Sequence, residues 1–219
     1  ANVTAAKIAS GVQLVTTDGQ SNTVVGTNAG DSFTGTDATY NTLIGKDSGT
    51  AMTTADNNTA VGFESLSANT TGSANVAIGA NAGTANTTGN DNTAVGRTAL
   101  HANTTADDNT AVGYSALLTN TTGSQNTACG SESLDENTTG EQNVAVGFKA
   151  LSASTTGSYN NAFGRYALYA NTTASYNNGF GRSALESNTT GSKNNAFGHG
   201  TLEVNTTGAE NNAFGQNAL

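Results

Sequence analysis

Two histidines, one cysteine and sixteen carboxylates are the residues of this 219-residue chain with the most obvious chemistry. His101 and His199 lie far apart in the sequence and share no metal-ligand spacing with a cysteine or carboxylate. Neither belongs to a converging Ser-His-Asp or Cys-His set, and the acidic residues are scattered rather than paired. Asp91 and Asp108 recur at one repeat position, but Gln125, Tyr159 and Lys193 hold that position elsewhere, which argues against a repeated cation site. The calcium-binding nonapeptide pattern G-G-x-G-x-D is absent. The expectation is a protein that is not an enzyme, with no catalytic, cofactor-binding or metal-binding residue to name. "NTTG" also recurs, and its Asn-Thr-Thr reads either as an N-glycosylation sequon or as an Asx or Ser/Thr turn.

The elements that position these residues are repeats. Glycine closes a similar block at Gly26, Gly45 and Gly62, and from Gly45 it returns every 17 residues to Gly215. A typical unit is "NTAVGYSALLTNTTGSQ", Asn109 to Gln125. Seventeen residues are too few for a two-helix or strand-plus-helix repeat, but they suffice for two short strands and two turns. The expected fold is all-β: a parallel β-solenoid or β-roll of about twelve coils, one 17-residue repeat per coil, over residues 22–219. Residues 1–21 fall outside the pattern, and "VQLVTT" within them reads as a strand or cap over the first coil.

Stacked repeats turn each position into a column with one environment. Asn stands four residues before every block glycine, from Asn22 to Asn211, which predicts an amide ladder running the length of the solenoid. The glycine column suits a positive φ or close backbone approach. The residue before the glycine is Val or Ile in the early blocks, Cys at Cys129, and Phe at Phe163, Phe180, Phe197 and Phe214. This column is read as the core, with Cys129 a small buried hydrophobe in a valine slot. Leu66, Leu100, Leu117 and their successors form a second apolar column on the other strand, with Gly30, Gly49 and Gly83 replacing it elsewhere. Between the Asn and the core column lies alanine, from Ala60 to Ala213 with few exceptions. Neighbours on a strand point to opposite faces. Two adjacent apolar columns therefore leave the strand no water-facing side, and the alanine side is expected to be covered by another chain. A single chain with a tight alanine-lined interior is the alternative.

Composition narrows the partners. The formal net charge is −9 with 7 Lys plus Arg, so there is no basic stripe for nucleic acid. No apolar run approaches the roughly 20 residues of a membrane-spanning helix. The low charge, absence of proline and abundance of glycine suit short strands and tight turns. One cysteine excludes an internal disulfide framework.

The blocks "NVAIG" (Asn75–Gly79) and "NVAVG" (Asn143–Gly147) resemble the head repeats of trimeric autotransporter adhesins. The whole unit resembles repeat arrays of bacteriophage tail fibres and bacterial surface proteins over residues 22–219. This resemblance implies a left-handed β-roll in a homotrimer about a fibre axis, and an extracellular, cell-surface or virion tail-fibre location. It also implies attachment to a cell-surface receptor or glycan. The period here is longer than is usual in the adhesin heads. Three functions compete on this basis. The first is a rigid shaft or head that projects a binding surface. The second is a subunit of an extracellular filament stacking end to end, motivated by a chain that stops at Leu219 within a repeat. The third is an ice-binding solenoid, motivated by the ladder Thr70, Thr87, Thr104, Thr121 and Thr138.

Overall fold

The computed structural model describes residues 15–16, 20–33 and 37–219. It is a parallel β-solenoid with a repeat of 17 residues, and the described residues contain no helix. Twelve three-residue strands, β2 (Thr23–Val25) to β13 (Asn212–Phe214), pair in parallel, each with the next in chain order. Equivalent residues are partners throughout: Thr110 lies beside Thr127, Ala111 beside Ala128 and Val112 beside Cys129. Within the segment "VQLVTT", β1 (Val15–Thr16) pairs antiparallel with β2. The rest of residues 1–21, apart from Gln20 and Ser21, lies outside the described residues.

Each coil holds one strand, not two. The leucine expected on a second strand instead sits in a turn with left-handed backbone, as at Leu117 (φ 53°). Ser115 and Gln125 are also left-handed in the same coil, at φ 53° and 61°. Such corners cost a non-glycine residue about 1 kcal/mol or more. They persist because the neighbouring coils on both sides hold them. Ser115 N–H donates to Arg97 O at 3.1 Å, Leu117 N–H to Ser133 O at 3.0 Å, and Gln125 N–H to Asp107 O at 3.2 Å. Inter-coil bonding thus continues around the whole turn, so few strand residues are needed.

The core is narrow, and the face assignment expected from sequence is inverted. Ala60, Ala77, Ala111, Ala128, Ala145 and Ala162 are fully buried, packed against the leucine column of Leu100, Leu117, Leu134, Leu151 and Leu168. The Val/Ile/Phe column points outward: Ile78 is 41% exposed and Phe163 37%. Cys129 shares that column and is exposed, not buried. The physical reason is width. The interior also holds two columns of asparagine, leaving room for alanine where the strand crosses and for leucine only at the corner. Residue sizes confirm who faces whom. Where the alanine column enlarges to Leu43, the leucine column of the same coil shrinks to Gly49, and a Cβ there would stand 2.8 Å from a Leu43 methyl.

The predicted asparagine ladder is present. Asn126 N–H donates to Asn109 Oδ1 at 3.0 Å, and Asn143 N–H and Nδ2 donate to Asn126 Oδ1 at 3.0 and 3.1 Å. A second ladder runs through the "NTTG" turns. Asn103 Nδ2 donates to Asn86 Oδ1 at 2.9 Å and Asn120 Nδ2 to Asn103 Oδ1 at 3.0 Å. Each of these amides also closes its own turn, as Asn120 Nδ2 does on Gly123 O at 2.9 Å. The turn reading therefore holds. Asn69, Asn103, Asn120, Asn137, Asn171 and Asn188 have no exposed surface for a glycan.

Ser154 interrupts this second ladder, and the fully buried Asn137 Oδ1 and Ser154 Oγ have no hydrogen-bond partner among the described residues. A buried, unsatisfied polar atom costs about 1–3 kcal/mol. Ser154→Asn would add an amide that donates to Asn137 Oδ1 and accepts from Asn171 Nδ2, in a register its neighbours already use. The expected result is a gain of about 1–2 kcal/mol, read as a Tm rise of about 2–4 °C per kcal/mol for a chain of this size. An unchanged or lower Tm would show that the ladder does not act as a continuous unit.

Candidate functional site

The two outward positions of each strand build one continuous surface. The first is Thr in most early coils, Val at Val76 and Val144, and Asn in the last four. The second is the Val/Ile/Cys/Phe column. Neither column contains a charged residue from β2 to β13. That matters in a chain with 16 acidic and 7 basic residues, because a face meant for water would carry some of them. The centres of protein interfaces are depleted of charge in this way.

The face changes character towards its end. From β10 (Asn161–Phe163) onward the phenyl rings stack along the axis, with centroids 4.9, 4.8 and 5.0 Å apart and planes within 8° of parallel. Beside them the asparagine side chains form a third amide ladder, with Nδ2–Oδ1 distances of 2.7, 2.6 and 2.7 Å. Equal side chains at the ~4.8 Å spacing of parallel strands interlock with themselves. The column is rigid because every copy supports the next.

The charges gather on the corners flanking this face. Arg97 lies over the Tyr114 ring at 5.1 Å, and Arg165 over Tyr166 at 4.6 Å. Lys149 reaches Glu132 at 3.1 Å, and that carboxylate raises the lysine pKa. Burial pushes the Asp135 carboxyl above the usual carboxylate range, against the opposing pull of the Ser152 hydroxyl at 2.6 Å.

The residues considered for chemistry stay apart. His101 Nδ1 lies 3.3 Å from Asn81 O, whereas His199 Nε2 lies 3.5 Å from an Arg182 nitrogen on another coil. Asp91 and Asp108 occupy the exposed corner before the ladder asparagine. Among the described residues no three His, Cys, Asp or Glu side chains gather as a metal site, and no helix is long and apolar enough to cross a membrane. The Thr70 ladder is occupied internally, with Thr70 Oγ1 donating to Thr87 O at 3.0 Å and Thr121 Oγ1 to Thr138 O at 2.9 Å. The next column, containing Thr71, Thr88 and Thr122, is the one left exposed.

The fold and surface define a tandem-repeat β-solenoid with an uncharged sheet face. No protein-family model matches the chain, and neither a curated protein nor a solved structure is significantly similar to it.

Proposed function

We propose that the chain is a non-enzymatic structural element, the rigid shaft or head of a homotrimeric fibre of the adhesin or tail-fibre type. The observation that carries this reading is the uncharged, partly apolar sheet face running through all twelve parallel strands. A half-exposed column of Val, Ile and Phe of that length exceeds the scattered apolar residues expected on a monomer's surface. Packing copies face to face about a shared axis would cover it. The number three comes from the likeness of "NVAIG" to adhesin head repeats, and the surface that meets the axis is the Val/Ile/Phe face, not the alanine column. Exposed residues away from that face, such as Tyr169 and Val204, are left to contact a cell-surface receptor or glycan outside the virion or cell.

Sedimentation equilibrium tests this directly. The native chain is expected to run as a trimer at micromolar concentration, and Val112→Lys as a monomer with unchanged β-sheet circular dichroism. Val112 is outward on β7 (Thr110–Val112) and 36% exposed, so lysine there need not disturb the coil. In an assembly it would place like charges together at the axis. A native chain that stays monomeric at tens of micromolar would sink the reading.

A further inference from the structure

In four of the twelve coils the two corners at the ends of the strand carry matched residues, although they cannot meet within one chain. One corner is the residue after the block glycine, and the other precedes the ladder asparagine. In the coil of Gly164 these are Arg165 and Tyr159, and in the coil of Gly181 they are Arg182 and Tyr176. The coil of Gly45 carries Lys46 and Tyr40, and the coil of Gly96 carries Arg97 and Asp91. Every Lys or Arg in the first column thus has a tyrosine or aspartate at the far end of its own strand. Conversely, all three tyrosines of the second column are opposed by a cation.

Each pair is six residues apart, roughly 20 Å along extended chain. That exceeds contact range and the Debye length of about 8 Å at physiological salt. The three tyrosines are exposed, at 64%, 42% and 54% for Tyr40, Tyr159 and Tyr176. Lys46 is paired with its neighbour Asp47 at 3.3 Å, but among the described residues Arg97, Arg165 and Arg182 have no carboxylate within ion-pair distance, despite the excess of acidic side chains. The one coil that opposes a basic pair, His199 with Lys193, has its lysine drawn to Glu210 of the next coil at 3.5 Å.

We infer that, beyond their contacts within the chain, the cationic corners meet the tyrosine or aspartate corners of a second copy of this chain, lying parallel and at the same coil level. When copies surround an axis along the solenoid with their sheet faces inward, the glycine end of one strand meets the asparagine end of its neighbour's. Arg165 and Arg182 then donate to the hydroxyls of Tyr159 and Tyr176 of the adjacent copy, whose rings are stacked on each other with centroids 4.9 Å apart, and Arg97 faces Asp91. An antiparallel arrangement matches coils from opposite ends of the array and loses the correspondence. A slip of one coil in one direction places Arg182 against Tyr159 but strands Arg165 against Gln142, Arg97 against Ala74 and Lys46 against Ser21. A slip in the other keeps Arg165 on Tyr176 and Arg97 on Asp108 but opposes Arg182 to Lys193 and leaves Lys46 against Asn57. The uncharged face supplies the cohesion, and the corner pairs set orientation and register. This inference rests on the proposed fibre assembly and adds the contact that fixes its alignment.

Cysteine cross-linking on the full chain tests it. In a Cys129→Ser background, Tyr159→Cys with Arg165→Cys places both thiols at one coil level, too distant to bridge within a chain. Mild oxidation is expected to give a covalently closed oligomer, and the number of chains in that product reads the size of the ring. Arg165→Cys with Tyr176→Cys, offset by one coil, is expected to give at least tenfold less. A chain that sediments as an oligomer but cross-links equally or better through the offset pair, or through neither, overturns the register while leaving the fibre assembly standing. A chain that sediments as a monomer overturns both.

The Arg97/Asp91 pair supplies a second measurement free of cysteines. Arg97→Asp is expected to weaken association about fivefold or more by opposing like charges. Adding Asp91→Arg is expected to restore it within about twofold. Independent effects in the double variant would overturn the pairing.

Discussion

Gly113→Ala is expected to break the solenoid in two, whereas Gly215→Ala should be tolerated. Both glycines have left-handed backbone, at φ 138° and 119°, and both would pay for a side chain there. That conformational strain is worth about 1–3 kcal/mol. The difference is in the neighbours. A Cβ on Gly113 would stand 2.5 Å from Gly130 O and 2.6 Å from its carbonyl carbon, while a Cβ on Gly215 would meet nothing within 4 Å. Gly130 cannot retreat, because it is itself packed on Gly147 in the same way. Its N–H is also held by Val112 O at 2.8 Å. Overpacking therefore adds about 1–3 kcal/mol at Gly113 alone.

The loss is concentrated at one junction between coils. In a stacked-repeat protein each unit is stabilised by its nearest neighbours, so a weakened junction uncouples the two sides. Thermal unfolding of Gly113→Ala should become two transitions or one broadened transition, with a midpoint well below that of the native chain. Gly215→Ala should keep a single transition within a few degrees of it. Equal effects at the two sites would mean that conformation, not coil-to-coil approach, explains the glycine column.

The period, the parallel stacking and the first asparagine ladder were all legible in the sequence. Each depends on one residue type recurring at one spacing, and stacking makes such recurrence physical. The facing of the strand was not legible from polarity, because alanine on one side and valine on the other are both apolar. Residue size carried the missing information. Val24 with Gly30 and Leu43 with Gly49 enlarge the alanine column in two of the three coils where the leucine column vanishes, Ala77 with Gly83 being the third. Such compensation requires the two columns to face each other, which puts alanine inside. The second asparagine ladder was obscured for a different reason. "NTTG" satisfies the ordinary description of a surface turn, and only the stacked coils show that Asn103 and Asn120 point inward and are fully buried. Leucine in left-handed corners was also invisible, since nothing local favours that conformation and the inter-coil bonds impose it.

The same distinction between recurrence and cause applies to the amides, and Asn126→Leu separates them. Leucine shares asparagine's branching and number of side-chain heavy atoms, with bulkier methyls, and is at home in this core, so packing alone predicts the smaller change. The hydrogen bonds predict a large one. Asn126 Nδ2 donates to Gly140 O at 2.9 Å, and its Oδ1 accepts from both Asn143 N–H and Asn143 Nδ2. Leucine removes all three, at about 1 kcal/mol each. Gly140 O retains Asn137 Nδ2 at 3.0 Å, and Asn143 Nδ2 retains Gly157 O at 2.8 Å. The Asn143 backbone N–H has no such alternative and becomes a buried orphan, which brings the expected loss to roughly 3–5 kcal/mol. Equilibrium denaturation of the native chain and Asn126→Leu under identical assembly conditions measures that difference. A loss below about 1 kcal/mol would show that inter-coil backbone bonding alone holds the turns, with the asparagine column merely filling space beside it.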